Sequence, residues 1–259
     1  MKLSNPPNLA LPAEKIALFL DVDGTLAPIT ARPELSRVPL QTRRTLMELQ
    51  RQGVQLAALS GRPLTQVRRL LNPLQIAVGG SHGAQVWFGS DRSISIVRSV
   101  PQDMMSVLTN GIADMSGVWI EHKPAGIAIH WRQAPNFRSA IDSIVGDALS
   151  VAPGWTLVKG HCVHELRAKG RDKGRALKQF MRRTEFIGRW PLAIGDDRTD
   201  EDAFTAALEL GGAAIRIGVT ETTVAPWQLS DVSSLASWLH RQSTALQSDR
   251  WKSARRIWC

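Results

Sequence analysis

Two carboxylates one residue apart, Asp21 and Asp23, close the apolar run Ile16–Leu20, and Gly24 and Thr25 follow them. A buried strand has no structural need for two acids at its tip, where they repel one another. The pattern recurs where Pro191–Gly195 ends in Asp196 and Asp197, with Asp200, Glu201 and Asp202 just beyond. A solvated turn would account for Asp23-Gly24 alone, and capping of a helix start would account for Glu201 and Asp202. Two acidic strand ends in one parallel sheet instead converge readily on Mg²⁺, which takes carboxylates, waters and phosphate oxygens. Ser60-Gly61 follows the strand Val54–Leu59, and Pro63 marks the helix start after it. That junction offers a hydroxyl and free backbone N–H groups to an anion. Lys173 falls in the first turn of a helix opened by Asp172, where the helix dipole disfavours a cation unless an anion is shared with it. An acid pair, a hydroxyl turn, a lysine and a second acid cluster are the parts that phosphoryl transfer needs. No Walker A sequence and no G-x-S-x-G motif is present.

The elements that must hold these residues read as an α/β chain. Apolar runs at 16–20, 54–59, 76–78, 191–195 and 213–217 suit buried parallel strands. Between and after them, helices are predicted over 40–52, from Pro63, from Lys173, over 200–208 and over 232–239. The expected fold class is a doubly wound, mostly parallel sheet (a Rossmann-like core) with an inserted α+β cap domain. The boundaries place the core at 1–99 and 170–259 and the insertion at 100–169. Within the insertion, short strands of mixed polarity set Glu121 with Lys123, His130 with Arg132, and Glu165 with Arg167. Period-two spacing puts each pair on one sheet face, for which an ordinary solvated face is the simpler account. His82, inside Gly79-Gly80-Ser81-His82-Gly83, is open to either a substrate contact or a structural role.

The 259 residues are 43% hydrophobic, enough for a sizeable core. Two cysteines, Cys162 and Cys259, make neither a disulfide framework nor a thiolate zinc site. Residues 1–14 are broken by Pro6, Pro7 and Pro12 and lack a signal-peptide core, and no apolar run approaches the ~20 residues of a membrane span. A soluble cytoplasmic monomer is expected. The net charge of +9 suits an anionic partner, but it is spread over scattered arginines and the last residues. No RNA-type aromatic motif or zinc-finger spacing accompanies it, so neither nucleic acid nor a membrane is expected as partner.

In these residues the chain resembles the haloacid dehalogenase superfamily, whose four motifs match Asp21-Val-Asp23-Gly24-Thr25, Ser60, Lys173 and Gly195-Asp196-Asp197. Within it, Leu-Ser-Gly-Arg62, Gly-Ser-His82-Gly-Ala, His130-Trp-Arg132, Glu165-Leu-Arg167 and Gly-Asp-Asp-Arg-Thr-Asp-Glu-Asp-Ala-Phe204 resemble the trehalose-6-phosphate phosphatases. The resemblance implies Mg²⁺-dependent hydrolysis of trehalose 6-phosphate. Asp21 is then the nucleophile and Asp23 the acid and base that holds its proton near neutral pH. Metal ligands are Asp21, the Asp23 backbone carbonyl and Asp196, backed by Asp197 and Asp200. Thr25, Ser60, Gly61 and Lys173 hold the phosphoryl group. The insertion resembles the family's cap, which closes over the site. Its Glu121, Lys123 and Glu165 would read the sugar, with His82, His130, Arg132 and Arg167 as further candidates. The chain departs from the family pattern at His161, Trp131 and Ala168. The His161 change, for which Lys159 could substitute, leaves open another sugar phosphate such as sucrose phosphate or mannosyl-phosphoglycerate. Outside enzymes, an inactive sugar-phosphate sensor or scaffold is the competing reading.

Overall fold

A computed structural model describes residues 4–89, 93–95, 99–123, 126–160, 162–170, 172–219 and 222–255. His161 lies outside them. The chain forms two compact units, Met1–Ser95 with Asp172–Cys259, and Ile96–Arg171.

The first unit is built on strands β1 (Ile16–Leu20), β2 (Gln55–Leu59), β3 (Ala77–Gly80), β4 (Gln85–Trp87) and β5 (Ser93–Ser95). After the insertion come β10 (Trp190–Gly195), β11 (Ala213–Ile217) and β12 (Trp227–Leu229). Their order is β12-β11-β10-β1-β2-β3-β4-β5. All neighbours pair parallel except at β3–β4 and β4–β5. β1 lies at the centre and is buried along its whole length. Ile16, Leu18 and Leu20 enter one core, while Ala17 and Phe19 enter the other. β10 divides likewise, with Leu192 and Ile194 on one side and Ala193 on the other. A sheet covered on both faces explains why these strands read as unbroken apolar runs.

Helices α1 (Leu40–Gln52), α2 (Leu64–Leu71) and α7 (Val232–Arg255) supply Leu46, Leu49, Val67, Leu71, Leu235 and Trp238 to the first core. Helices α5 (Lys173–Met181) and α6 (Asp200–Glu209) supply Leu177, Phe180, Ala203 and Phe204 to the second. The predicted C-cap Gly53 ends α1 in the left-handed region, φ 108°. Asp172 caps α5, its carboxylate accepting from the Arg175 N–H.

The second unit is a four-stranded antiparallel sheet, β6 (Trp119–Lys123), β7 (Gly126–His130), β9 (Val163–Ala168) and β8 (Trp155–Gly160), in the order β6-β7-β9-β8. One face packs on α3 (Gln102–Ile112) and α4 (Arg138–Ser150) through Ile127, Ile129, Leu166, Met104, Leu108 and Ile141.

Four strands escaped the sequence reading. β4, β5 and β12 are three residues long, and β8 buries only Trp155, so neither a run nor an alternation marks them. α7 also extends well beyond 232–239, because its later turns hold the chain's start. Gln242 Oε1 accepts from the Leu9 N–H at 2.8 Å, and its amide donates to Asn8. No helix among the described residues is long and apolar enough to cross a membrane.

Candidate active site

The carboxyl end of β1 lies between those of β10 and β2, where the strand order reverses direction and open α/β sheets leave a crevice. Leu20 stands opposite Ile194 in the register, and the Asp21 N–H donates to the Ile194 carbonyl at 2.9 Å. Asp21 and Asp196 therefore leave adjacent strand ends. After Asp21 the chain turns at once, the Leu26 and Ala27 N–H groups returning to the Val22 carbonyl. Gly24 takes φ +81° in that turn, and a side chain there would collide with the Asp196 carboxylate.

Lys173 projects from the first turn of α5 into this acidic end and is only 2% exposed. Its Nζ donates to Asp21 Oδ1 and Asp200 Oδ1, each at 2.7 Å, and lies 3.9 Å from Asp197 Oδ1. Its unfavourable place on the helix dipole is thus offset by two buried carboxylates. Asp200 has both oxygens engaged, since Oδ2 accepts from the N–H groups of Asp196 (3.0 Å) and Asp197 (3.1 Å). Asp197 Oδ1 in turn accepts from the Thr199 N–H and hydroxyl, both at 2.8 Å. The acids of the 196–202 segment are therefore mostly the scaffold of their own loop.

Burial pushes the Asp21 carboxyl up to about 7 despite Lys173, and Asp196 and Asp197 add to the rise. Asp196 and Asp200 are raised too, in each case chiefly by burial. Burial works against the Lys173 charge, but Asp21, Asp200 and Asp197 outweigh it and hold the ammonium above its ordinary value. Burial alone would raise Asp197 as well; Lys173 and the hydrogen bonds from Asp200 and Thr199 bring it below the usual range. One lysine thus faces more buried carboxylate than it can neutralise. Oxygens of Asp21, Asp196 and Asp200 lie within 4.8 Å of one another. This all-oxygen donor set, short of positive charge, fits a hard divalent cation. Asp200, with both oxygens already bonded, is better fitted to support than to ligation.

Asp23 lies outside that cluster. Arg62 grips it through Nε to Oδ2 (2.5 Å) and Nη2 to Oδ1 (2.6 Å), and the Ser36 hydroxyl donates to Oδ1 at 3.0 Å. The sequence reading expected a protonated Asp23; in this conformer its two oxygens serve as acceptors. Arg62 belongs to the Ser-Gly-Arg motif, which does not by itself reveal this contact, and nothing in the sequence marks Ser36.

Ser60 is buried at the end of β2, its Oγ accepting from the Arg62 N–H at 3.1 Å. Gly61 lies against the His82 ring, which a Cβ would approach to 2.8 Å. His82, open to a substrate contact or a structural role on sequence, packs on this turn. The Thr25 hydroxyl, expected on a phosphoryl oxygen, donates instead to Asp196 Oδ1 at 2.8 Å.

In the second unit, Glu121 and Glu165 flank Ala128 in the register of β6, β7 and β9, on the face away from the helices. Lys123 Nζ donates to Glu165 and lies 3.8 Å from Glu121; His130 Nε2 bonds Glu121 at 2.9 Å and stacks on Trp119. Arg132 does not share a strand with His130, although the spacing predicted that it would. β7 ends at His130, so Arg132 falls in the turn beyond it, exposed and off the shared face.

The trehalose-phosphatase family model matches residues 19–237. Trehalose-6-phosphate phosphatase of Escherichia coli (strain K12) is 35% identical over 252 residues, covering 96% of this chain and 93% of its own. The C-terminal domain of Candida albicans trehalose-6-phosphate phosphatase superposes with a TM-score of 0.72 at 21% identity, covering 89% of this chain and 93% of its own. A HAD-superfamily subclass IIB sugar phosphatase gives 0.61 at 17% identity, covering 89% and 99%. The chain thus shares its fold with a HAD-superfamily sugar phosphatase, the fold that the motif resemblance implied. The chain belongs to the trehalose-phosphatase family, and it is a phosphoric monoester hydrolase.

Proposed function

We propose that the protein hydrolyses trehalose 6-phosphate to trehalose and phosphate through an aspartyl-phosphate on Asp21. The observation that carries this reading is the buried convergence of Asp21, Lys173 and Asp196 at adjoining strand ends. Asp21 attacks phosphorus as the bond to the sugar oxygen breaks, and Asp23 delivers a proton to that oxygen. Asp23 then takes a proton from the water that attacks the aspartyl-phosphate, which frees phosphate and restores Asp21. Arg62 and Ser36 now occupy Asp23, so its turn as proton carrier follows their release. Lys173 favours the ionised form of Asp21 against the effect of burial and, with Ser60 and the N–H groups around Gly61, holds the phosphoryl oxygens.

Asp21, Asp196 and the Asp23 carbonyl would hold Mg²⁺, with Asp197 and Asp200 fixing the loop behind them. When bound, Mg²⁺ supplies positive charge beside the phosphoryl oxygens. The 100–169 insertion acts as the substrate-specificity cap, and its Glu121, Lys123, Glu165 and His130 present carboxylates and N–H donors suited to glucose hydroxyls. The same reading gives the chain a cytoplasmic location, a monomeric state and no nucleic-acid partner. Phosphate release from trehalose 6-phosphate, with and without Mg²⁺ and beside a panel of other sugar phosphates, tests it. Preference for another sugar would move the substrate assignment, and release from none of them would leave a non-catalytic sensor.

A further inference from the structure

A second basic feature of the first unit meets this chemistry only at Arg62, the residue that grips Asp23. A cavity of about 560 Å³ lies between the 33–38 loop, the start of α1 and the outer face of α2. Four guanidinium groups line it, those of Arg37, Arg43, Arg62 and Arg69, and Glu34 is the only carboxylate among its lining residues. We infer that this cavity is a binding site for a polyphosphate-type anion, meaning a chain of linked phosphates either free or as the tail of a larger metabolite.

Three observations support this. First, Asp23 pairs with Arg62, but the charge of the other three is not neutralised from within. Among the described residues no carboxylate pairs with Arg37, Arg43 or Arg69, whereas a solubilising surface interleaves both signs. Glu34 itself is 4.0 Å from Arg32.

Second, two of the arginines are held by backbone. Arg37 Nη1 donates to the Glu34 and Ser36 carbonyls, each at 2.7 Å, and Arg43 Nη1 donates to the Asn72 carbonyl. Arg43 Nε is buried with no hydrogen-bond partner. Carbonyls fix these side chains without cancelling their charge, and each guanidinium keeps N–H groups for a ligand. A planar fork of N–H donors matches phosphate geometry, and pre-placed forks lose less entropy on binding.

Third, the size points to more than a single phosphate. The volume falls within the ~300–1,000 Å³ of small-molecule sites. Several spread cations suit several linked phosphates better than one, and Leu70 adds an apolar wall for whatever the chain carries.

The test is calorimetric titration of the full-length, metal-free protein with tripolyphosphate at low salt. Arg37→Ala/Arg69→Ala serves as the variant, since both side chains are exposed and neither belongs to the catalytic machinery. One site is expected, weakened at least tenfold in the double variant, unchanged in Ser60→Ala, and at least tenfold weaker for inorganic phosphate. Turnover of an activated aryl phosphate by the double variant should stay within twofold, which shows an intact fold. A nucleoside triphosphate binding more tightly than tripolyphosphate would identify the tail of a larger metabolite; equal binding would identify the free chain. Absence of binding, binding that survives the double substitution, or binding lost in Ser60→Ala would overturn the inference. Equal affinity for inorganic phosphate would reduce the cavity to a single-phosphate site and overturn it as well.

Discussion

The strand-end acids of the first unit and the polar sheet face of the second use the same residue types under opposite conditions. Asp21, Lys173 and Asp200 are almost wholly buried, and their oxygens and N–H groups are tied to one another and to backbone. The side chains of Glu121, Lys123, His130 and Glu165 are 26–40% exposed and bond chiefly among themselves. Burial makes the first set electrostatically costly, so each member depends on the others. Exposure lets water screen the second set and lets a ligand replace its partners. On the proposed function, chemistry falls to the set whose charge cannot be solvated and sugar recognition to the set whose partners can be exchanged.

The largest break in this contrast should come from Asp21→Asn, which preserves shape and removes the nucleophile. Turnover should fall by at least about 10³-fold with an unchanged far-UV spectrum; near-normal activity would reassign the nucleophile. Lys173→Met should act on stability as well. It strands Asp21 and Asp200 without their cation, and chemical denaturation should show a loss of about 3–5 kcal/mol. A loss below 1 kcal/mol would mean that the buried pair relaxes freely. Removing metal with a chelator should abolish turnover, and returning Mg²⁺ should raise the melting temperature, because a bound cation stabilises only the folded state. If Mg²⁺ moved the melting temperature of Asp196→Asn as much as that of the parent, the ligand assignment would be wrong.

On the other side of the comparison, Glu165→Gln should raise KM for the sugar phosphate about tenfold and leave kcat/KM for an aryl phosphate nearly unchanged. Equal losses on both substrates would place Glu165 in the chemistry. The smallest effect concerns Asp142, on the surface of the second unit. Its Oδ1 bonds His164 Nε2 at 2.5 Å, and that bond foremost holds its carboxyl below the ordinary value of 3.8. A depressed carboxyl stabilises the fold above its unfolded value and ceases to do so as pH falls through the folded one. Asp142→Asn should therefore flatten the loss of stability below about pH 4, as read by melting temperature against pH.

The first unit was largely legible because burial on both faces writes itself as apolar runs, and a run that stops at an acid stands out. Asp21 and Asp196 stand at the ends of such runs, while Ser60 was marked by the Ser-Gly turn before Pro63 and Lys173 by its place in the first turn of a helix. What was not legible depends on long-range geometry. No local pattern says that Ser36 and Arg62 meet on Asp23, or that the Thr25 hydroxyl turns toward Asp196. The sheet face of the second unit was harder to read because two-residue spacing looks alike on a solvated face and on a binding one. Arg132 followed that spacing past the end of its strand.

The central strand has a consequence for synthesis. One of β1's two neighbours, β10, follows it only after the whole second unit, and Thr25 meets Asp196 across 171 residues of chain. Until that partner leaves the ribosome, β1 has an unpaired edge and Asp21 lacks both its lysine and its companion acids. The second unit pairs only strands from within its own segment and faces no such delay. A nascent chain of this protein thus holds one edge of an apolar strand unpaired while the whole second unit is made, which leaves that edge open to mispairing.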